Sequence, residues 1–336
     1  MHFVAIYSIL CLDPITRFTA RGERVLGELE KKRTKKNKIM RKRKISSGLF
    51  IAPSFLGVLM FFLIPFCVVI FYSMVDNPIS ASFVGLDNYG QVIKNAAFQT
   101  AVRNTARFSV IAVPLSVVLS LLLAIVLEAK LPFRSQFRTF FLSPMMVPVA
   151  SVVLIWQVLF HYNGAVNDVL GRLGVFDMLN ALSLFEGDKI DWFKSDYATI
   201  VIVVLFLWKN LGYNMILFMA ALASVPKDIL EVARLESATP LQVFFSIKIR
   251  YLSSTILFVT IMSLISSFKI FREIYLLTTD YPYDSIYMLQ HYMNNKFRNL
   301  DYQTLSAAAI LMSLVMIVII GSLFIVENYF GKDVEG

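Results

Sequence analysis

Long apolar runs alternate with shorter polar segments along this chain. Six of the runs, Leu49–Met74, Phe108–Leu127, Thr139–Phe160, 198–222, 251–268 and Leu305–Val326, approach or exceed the length of ~20 residues that carries an α-helix across a bilayer. The pattern predicts an all-α polytopic membrane protein with six transmembrane helices. The first run contains Pro53 and Pro65, which membrane helices tolerate because neighbouring groups re-satisfy the freed carbonyls. The third contains Pro144 and Pro148, and the fifth is the shortest.

The polar intervals have patterns of their own. "FVGLDNYGQVIKNAAFQTAVRNT", 83–105, reads as a turn and an amphipathic helix, with Asp87 or Asn88 at the cap and Val92, Phe98 and Val102 on one face. Segment 163–194 carries further short helical pattern. Between runs four and five stands "LASVPKDILEVARLESATPLQVFFSIKIRYL". Pro226 suits a first helical turn, and Asp228 and Glu231 suit the positive end of a helix. Ile229, Val232, Ala233 and Leu235 form an apolar stripe that is expected to end near Ser237. Thr239-Pro240-Leu241-Gln242 is then a capping box opening a second helix through Phe244, Phe245, Ile247 and Ile249. A helix of about ten residues is marginal alone, so its apolar face calls for a docking partner.

Charge orients this picture. Ten of the 32 Lys and Arg fall in 31–44, "KKRTKKNKIMRKRK", and the rest of the chain carries one more acid than base. The formal net charge of +9 is therefore a juxtamembrane cluster of the kind kept on the cytoplasmic face, and no nucleic-acid-binding surface follows it. Loop 128–138 sets Lys130, Arg134 and Arg138 against Glu128 and reads as inside; 161–197 sets six acids against three bases and reads as outside. Both termini and the 224–245 loop are then expected in the cytoplasm of a multi-pass cell-membrane protein. The expected division is a basic cytoplasmic extension, 1–47, a transmembrane domain, 48–328, and a cytoplasmic tail, 329–336. "MHFVAIYSILCL" is a weak signal peptide without a basic n-region, and Met40 is the expected start. Cys11 and Cys67 indicate no disulfide framework.

The candidate chemistry is that of binding. The three histidines, His2, His161 and His291, are not spaced H-E-x-x-H, and neither G-x-S-x-G nor a G-x-x-x-x-G-K-[ST] phosphate loop occurs. The chain is expected not to be an enzyme. An ion-coupled secondary transporter is the alternative; it needs a carboxylate within a span, and none of the six runs as bounded here holds Asp or Glu in its interior. Polar groups inside spans face the bundle interior. They are Gln157 beside Trp156 in run three, "LWKNLGYNM" with Trp208, Lys209, Asn210, Tyr213 and Asn214 in run four, and Ser263, Ser266 and Ser267 in run five. Trp156, Gln157, Trp208, Asn210, Tyr213 and Asn214 are the candidate substrate pathway. Interfacial anchoring or helix packing competes for the tryptophans, helix packing for the serines, and a buried pairing or snorkelling to the interface for Lys209.

The stretch Glu231-Val232-Ala233, with Glu236-Ser237-Ala238 after it, resembles the "EAA" loop of binding-protein-dependent ABC importer permeases. Ser237 stands where that pattern has glycine, and Arg250 where it has proline. A left-handed Ser237 costs ~1 kcal/mol. "FVGLDNY" at 83–89, "RNT" at 103–105, "FRTFFLSPMMVP" at 137–148, "NGAVN" at 163–167 and Trp208 before "ALASVPKDILEVA" resemble the sugar-permease branch, and the likeness covers about 45–330. It implies a type I ABC importer permease fold and import of an oligosaccharide or related polar solute. It also implies a second permease subunit, two ATPase subunits that hold ATP and Mg, an extracytoplasmic solute-binding protein and surrounding membrane lipid. Glu231, Val232, Ala233, Glu236, Ser237 and Ala238 would couple the chain to the ATPase, with no cofactor in the chain itself.

Overall fold

The computed structural model describes residues 51–128, 133–183 and 186–331. The basic extension 1–47, Cys11, Met40, most of the 329–336 tail and the middle of the 128–138 loop lie outside the described residues. The chain divides into two units, Met1–Val68 and Val69–Gly336. Of the first unit only the opening of helix α1, Ile51–Ser73, is described. A π-turn at Leu59–Leu63 widens α1 just before Pro65, whose ring would otherwise press on the carbonyl four residues back.

In the second unit the elements after α1 are helical: α2 (Asp87–Lys94), α3 (Ala96–Glu128), α4 (Arg134–Met146), α5 (Val149–Leu159), α6 (Ala165–Arg172), α7 (Val175–Ala181), α8 (Ala198–Ala223), α9 (Lys227–Leu235), α10 (Pro240–Val243), α11 (Ser253–Phe268), α12 (Phe271–Thr278), α13 (Leu289–Arg298) and α14 (Tyr302–Gly331). Five helical stretches are long and apolar enough to cross a membrane: α1, α3, α8, the run Ser253–Thr278 formed by α11 and α12, and Tyr302–Tyr329 within α14. The third predicted span is instead a broken pair, α4 and α5, bent by 100°. Val147 is extended ahead of Pro148, as a residue before proline must be, and Pro148 serves as the N-cap residue of α5. If the pair is one span, the total is six.

Two other boundaries move. The amphipathic helix expected over 83–105 divides at Asn95, and its second half is continuous with span two in the 33-residue α3, about 50 Å long. Asp87 and Asn88 do not cap α2. Leu86 holds the cap position, and Asn88 donates to the carbonyls of Ser73 (3.0 Å) and Val75 (2.8 Å). Val92 and Phe98 are buried together, but Val102 is exposed.

Helices α3 and α8 run side by side in the same direction. Phe108 meets Phe206 edge-on at 5.5 Å, Ser116 meets Asn214, and Ala124 and Leu127 share a cluster with Phe218 and Leu222. Helix α11 returns the other way, with Ser267 on Ser109 (2.8 Å) at one end and Leu252 and Val259 in the Leu222 cluster at the other. Helix α4 crosses α8 at Gly212, where a Cβ would strike the Phe141 carbonyl. Ala307 and Ala308 of α14 are small enough to bring that helix onto Val92, Phe98 and Tyr292.

Candidate functional site

The loop between α8 and α11 is a corner built from local bonds. Helix α9 starts one residue later than expected, with Pro226 at the cap position and Asp228 in the first turn. It ends in a Schellman motif. Ser237 is left-handed (φ 58°), its N–H reaches the Arg234 carbonyl at 3.0 Å, and the Ala238 N–H reaches Ala233 at 2.9 Å. The expected capping box follows: Gln242 N–H donates to Thr239 Oγ1 (3.3 Å), and Thr239 N–H donates to Gln242 Oε1 (2.8 Å). The return helix contains a π-turn at Phe244–Lys248, closed by the Ile249 N–H on the Phe244 carbonyl.

This corner is fixed to the bundle and still presents apolar surface. Leu230 and Val225 pack into the cluster of Met215, Phe218, Leu222 and Leu252. Lys248 pairs with Glu128 at the end of α3 at 2.6 Å. Ala233 is buried and Ala238 half-buried, whereas Glu231, Val232, Glu236 and Ser237 face outward. Leu235 is 86% exposed, and Ile229, Val232, Leu241 and Phe245 are exposed with it.

The second constellation lies where α5, α8 and α12 meet. Trp156 stacks on Phe160 at 5.1 Å and tilts toward Trp208 at 6.2 Å. Gln157 donates to the carbonyls of Leu277 (3.1 Å) and Leu276 (3.4 Å). Trp208 and Tyr213 are exposed, and Asn210, half-buried, donates to Phe206 of its own helix. Lys209 is ion-paired with Glu273. That carboxylate corrects the expectation of spans free of Asp and Glu. The fifth stretch continues past Phe268 to Thr278, and Glu273 is buried within it. The basic residues Lys269 and Arg272 had masked that continuation.

Asn214 sits behind this surface. Only 2% exposed, it donates to Ser116 (3.0 Å) and Ser263 (2.9 Å), tying α3, α8 and α11 together. Ser263 and Ser267 are likewise buried in packing contacts, the reading that competed for the span-five serines. A groove of about 570 Å³ beside Val110, Val113, Leu264 and Met312 is almost wholly apolar and holds none of the candidate residues.

The other motifs turn out to be clamps. Asn104 of "RNT" donates to the carbonyls of Asp284 and Tyr287, while Thr105 Oγ1 accepts the Leu289 N–H at 2.9 Å. Asn167 of "NGAVN" donates to Tyr162 and Ile190 and accepts from Trp192 Nε1 at 2.9 Å. Each holds a short helix or loop to the same end of the long helices, opposite the α9 corner. His291 at that end is fully buried against Phe271; burial pushes its pKa down to about 4, with Asp280 opposing.

Helix order and geometry match those of ABC importer permeases. A bacterial ABC transporter involved in the import of the acidic polysaccharide alginate has a chain that superposes with a TM-score of 0.71 at 19% identity, covering 88% of this chain and 98% of that one. The chain belongs to the family of binding-protein-dependent transport system inner membrane components, whose pattern matches residues 116–336. It is similar to the lactose transport system permease protein LacF of Rhizobium radiobacter, 27% identical over 309 residues, 89% of this chain and 98% of that protein. It is also similar to the sulfoquinovosyl glycerol transport system permease protein SmoG of Agrobacterium fabrum (strain C58 / ATCC 33970), 29% identical over 246 residues, 72% and 76% of the two chains. The chain is thus a membrane-embedded permease component rather than an enzyme.

Proposed function

We propose that this chain is the permease subunit of an ATP-driven importer that carries an oligosaccharide or related polar solute across the cytoplasmic membrane. The observation that carries the reading is the α9–α10 corner: a short helix closed by a Schellman turn and followed by a capped return helix, which together turn Val232, Leu235 and Leu241 outward. Such a surface suits a cleft on a separate ATPase. Glu231, Val232, Ala233, Glu236, Ser237 and Ala238 form the coupling element, with Ala233 and Ala238 as its seat and the other four as its contact face. Two ATPase subunits hold ATP and Mg; the chain needs no cofactor of its own. Their closure pushes α9, and Leu230 and the Lys248–Glu128 pair pass the displacement to the ends of α3, α8 and α11, as alternating access requires.

The α9 corner and both termini are cytoplasmic, in keeping with the basic 31–44 block and the acidic 161–197 segment. A solute-binding protein delivers from the other side, onto the end fastened by Asn104 and Asn167. A second permease subunit supplies the other wall of the path, and lipid surrounds both. Trp156, Gln157, Trp208, Asn210 and Tyr213 line the path, with Asn214 bracing the wall behind them. Names of relatives, such as the arabinooligosaccharides transport system permease protein AraP of Bacillus subtilis (strain 168), support a saccharide cargo. Glu273 does not favour ion coupling, because it is buried and held by Lys209.

Glu231→Lys tests the coupling. In proteoliposomes holding the assembled transporter, ATP-dependent uptake is expected to fall by about tenfold or more, the effect of losing ~1.4 kcal/mol of docking energy, while membrane insertion is intact. Unchanged uptake in Glu231→Lys, or wild-type uptake that follows a proton or sodium gradient without ATP hydrolysis, overturns the reading.

A further inference from the structure

The Lys209–Glu273 pair leaves two cations unmatched beside it. Lys269 and Arg272 precede Glu273 by four residues and by one on the same helical run, and both are exposed. Among the described residues the ion pairs are those of Arg172, Lys209, Lys248, Lys296 and Arg298; Lys269 and Arg272 are in none of them. Lys269 and Arg272 thus stand on the exposed side of a run whose one carboxylate, Glu273, is buried and already held by Lys209.

Their position makes this informative. At 1.5 Å per residue, Lys269 and Arg272 lie about 13 and 9 Å before the Thr278 end of Ser253–Thr278, a stretch long and apolar enough to cross a membrane. A cation at such a position is costly against hydrocarbon and marks a water-filled route or an ion partner. The same run carries Leu276 and Leu277, whose carbonyls accept the Gln157 amide, and Lys209 follows the exposed Trp208 in sequence. Aromatic rings, an amide and unmatched cations suit a sugar that is itself charged: the rings cover its apolar faces, and the guanidinium grips an oxyanion through two parallel N–H bonds.

We propose that Lys269 and Arg272 make this path selective for acidic saccharides, those bearing carboxylate, sulfonate or phosphate groups. The proposal rests on the reading of Trp156, Gln157, Trp208, Asn210 and Tyr213 as the path, and it adds the charge of the cargo. An anionic lipid headgroup shares the same chemistry and is the competing occupant.

The test is a titration of the purified, assembled transporter, without its solute-binding protein, with trigalacturonate and with its fully methyl-esterified counterpart. Tryptophan fluorescence is the readout, because Trp156 and Trp208, 6.2 Å apart, belong to the proposed path. The trianion is expected to bind at least about tenfold more tightly than the ester, a margin of ~1.4 kcal/mol. Raising salt from about 0.05 to 0.3 M should shrink that margin in the wild type, which needs no variant to fold. Lys269→Gln with Arg272→Gln should abolish it.

Equal binding of the two sugars, or a preference that survives the double substitution, overturns the charge assignment and leaves the path reading intact. If neither sugar perturbs the fluorescence, the path reading fails and takes this proposal with it. Loss of copurifying phosphatidylglycerol in the double variant, with no preference for the trianion in the wild type, assigns the cations to lipid.

Discussion

The α9–α10 corner and the Lys209–Glu273 crossing are both polar insertions in an apolar chain, and they are stabilised in opposite ways. The hydrogen bonds that turn the corner span at most five residues: Ser237 to Arg234, Ala238 to Ala233, Gln242 to Thr239; the Lys248–Glu128 pair only fastens the return helix to the bundle. The crossing joins residues 64 apart, and the Asn214 node joins residues 98 and 49 apart. The corner is exposed to water, which replaces any bond that is lost. The crossing is inside the helix bundle, where a lost partner is not replaced. Local bonds in water make a shape that survives single changes; long-range bonds in the bundle make one that does not.

The sharpest way to break this comparison is at the crossing. Lys209→Met is expected to cost ~3–5 kcal/mol, because it strands the buried Glu273 charge. Lys209→Met with Glu273→Leu should recover most of that loss. Thermal unfolding of the detergent-solubilised protein, arranged as a double-mutant cycle, measures both, and an additive cycle would show that the two groups do not depend on each other. Next in size is Gly212→Ala. The added methyl meets the Phe141 backbone and forces α4 away from α8, at a cost of ~1–3 kcal/mol read in the same unfolding assay. The corner should answer weakly: Thr239→Ala loses ~1 kcal/mol, and Ser237→Gly gains up to ~1 kcal/mol by relieving the left-handed backbone. Limited proteolysis across 236–242 can resolve these small local changes. A corner change larger than the crossing change would reverse the ranking.

This contrast also explains what could be read from the amino-acid order. Thr239, Gln242 and a corner at Ser237 were legible because their partners are neighbours in the chain. Glu273 was not, because Lys269 and Arg272 make its surroundings look like a loop; only the arrival of Lys209 from another helix gives the carboxylate a place inside. Asn214 was legible as a buried polar group, but which serines it would meet depends on α3 and α8 running in the same direction, a property of the whole bundle. The bend at Val147–Pro148 was foreshadowed by two prolines four residues apart, although the length of the apolar run suggested one continuous helix. The "RNT" and "NGAVN" residues were noticed for their likeness to a family. Their clamping bonds, some reaching 183 or 184 residues along the chain, had no local signal.

The π-turn at Phe244–Lys248 has a consequence for phase. One residue is accommodated there without advancing the helix by its usual step, so everything after Lys248 is rotated by about 100° relative to an uninterrupted α-helix. A helical wheel drawn straight through 240–268 therefore puts Leu252 and Val259, both buried, on the same side as Phe245, which is exposed. The wide turn works as an angular offset between two gears on one shaft: Phe245 faces outward while Leu252 and Val259 beyond it face the bundle, and removing one residue from the turn would swing those two toward the face that Phe245 occupies.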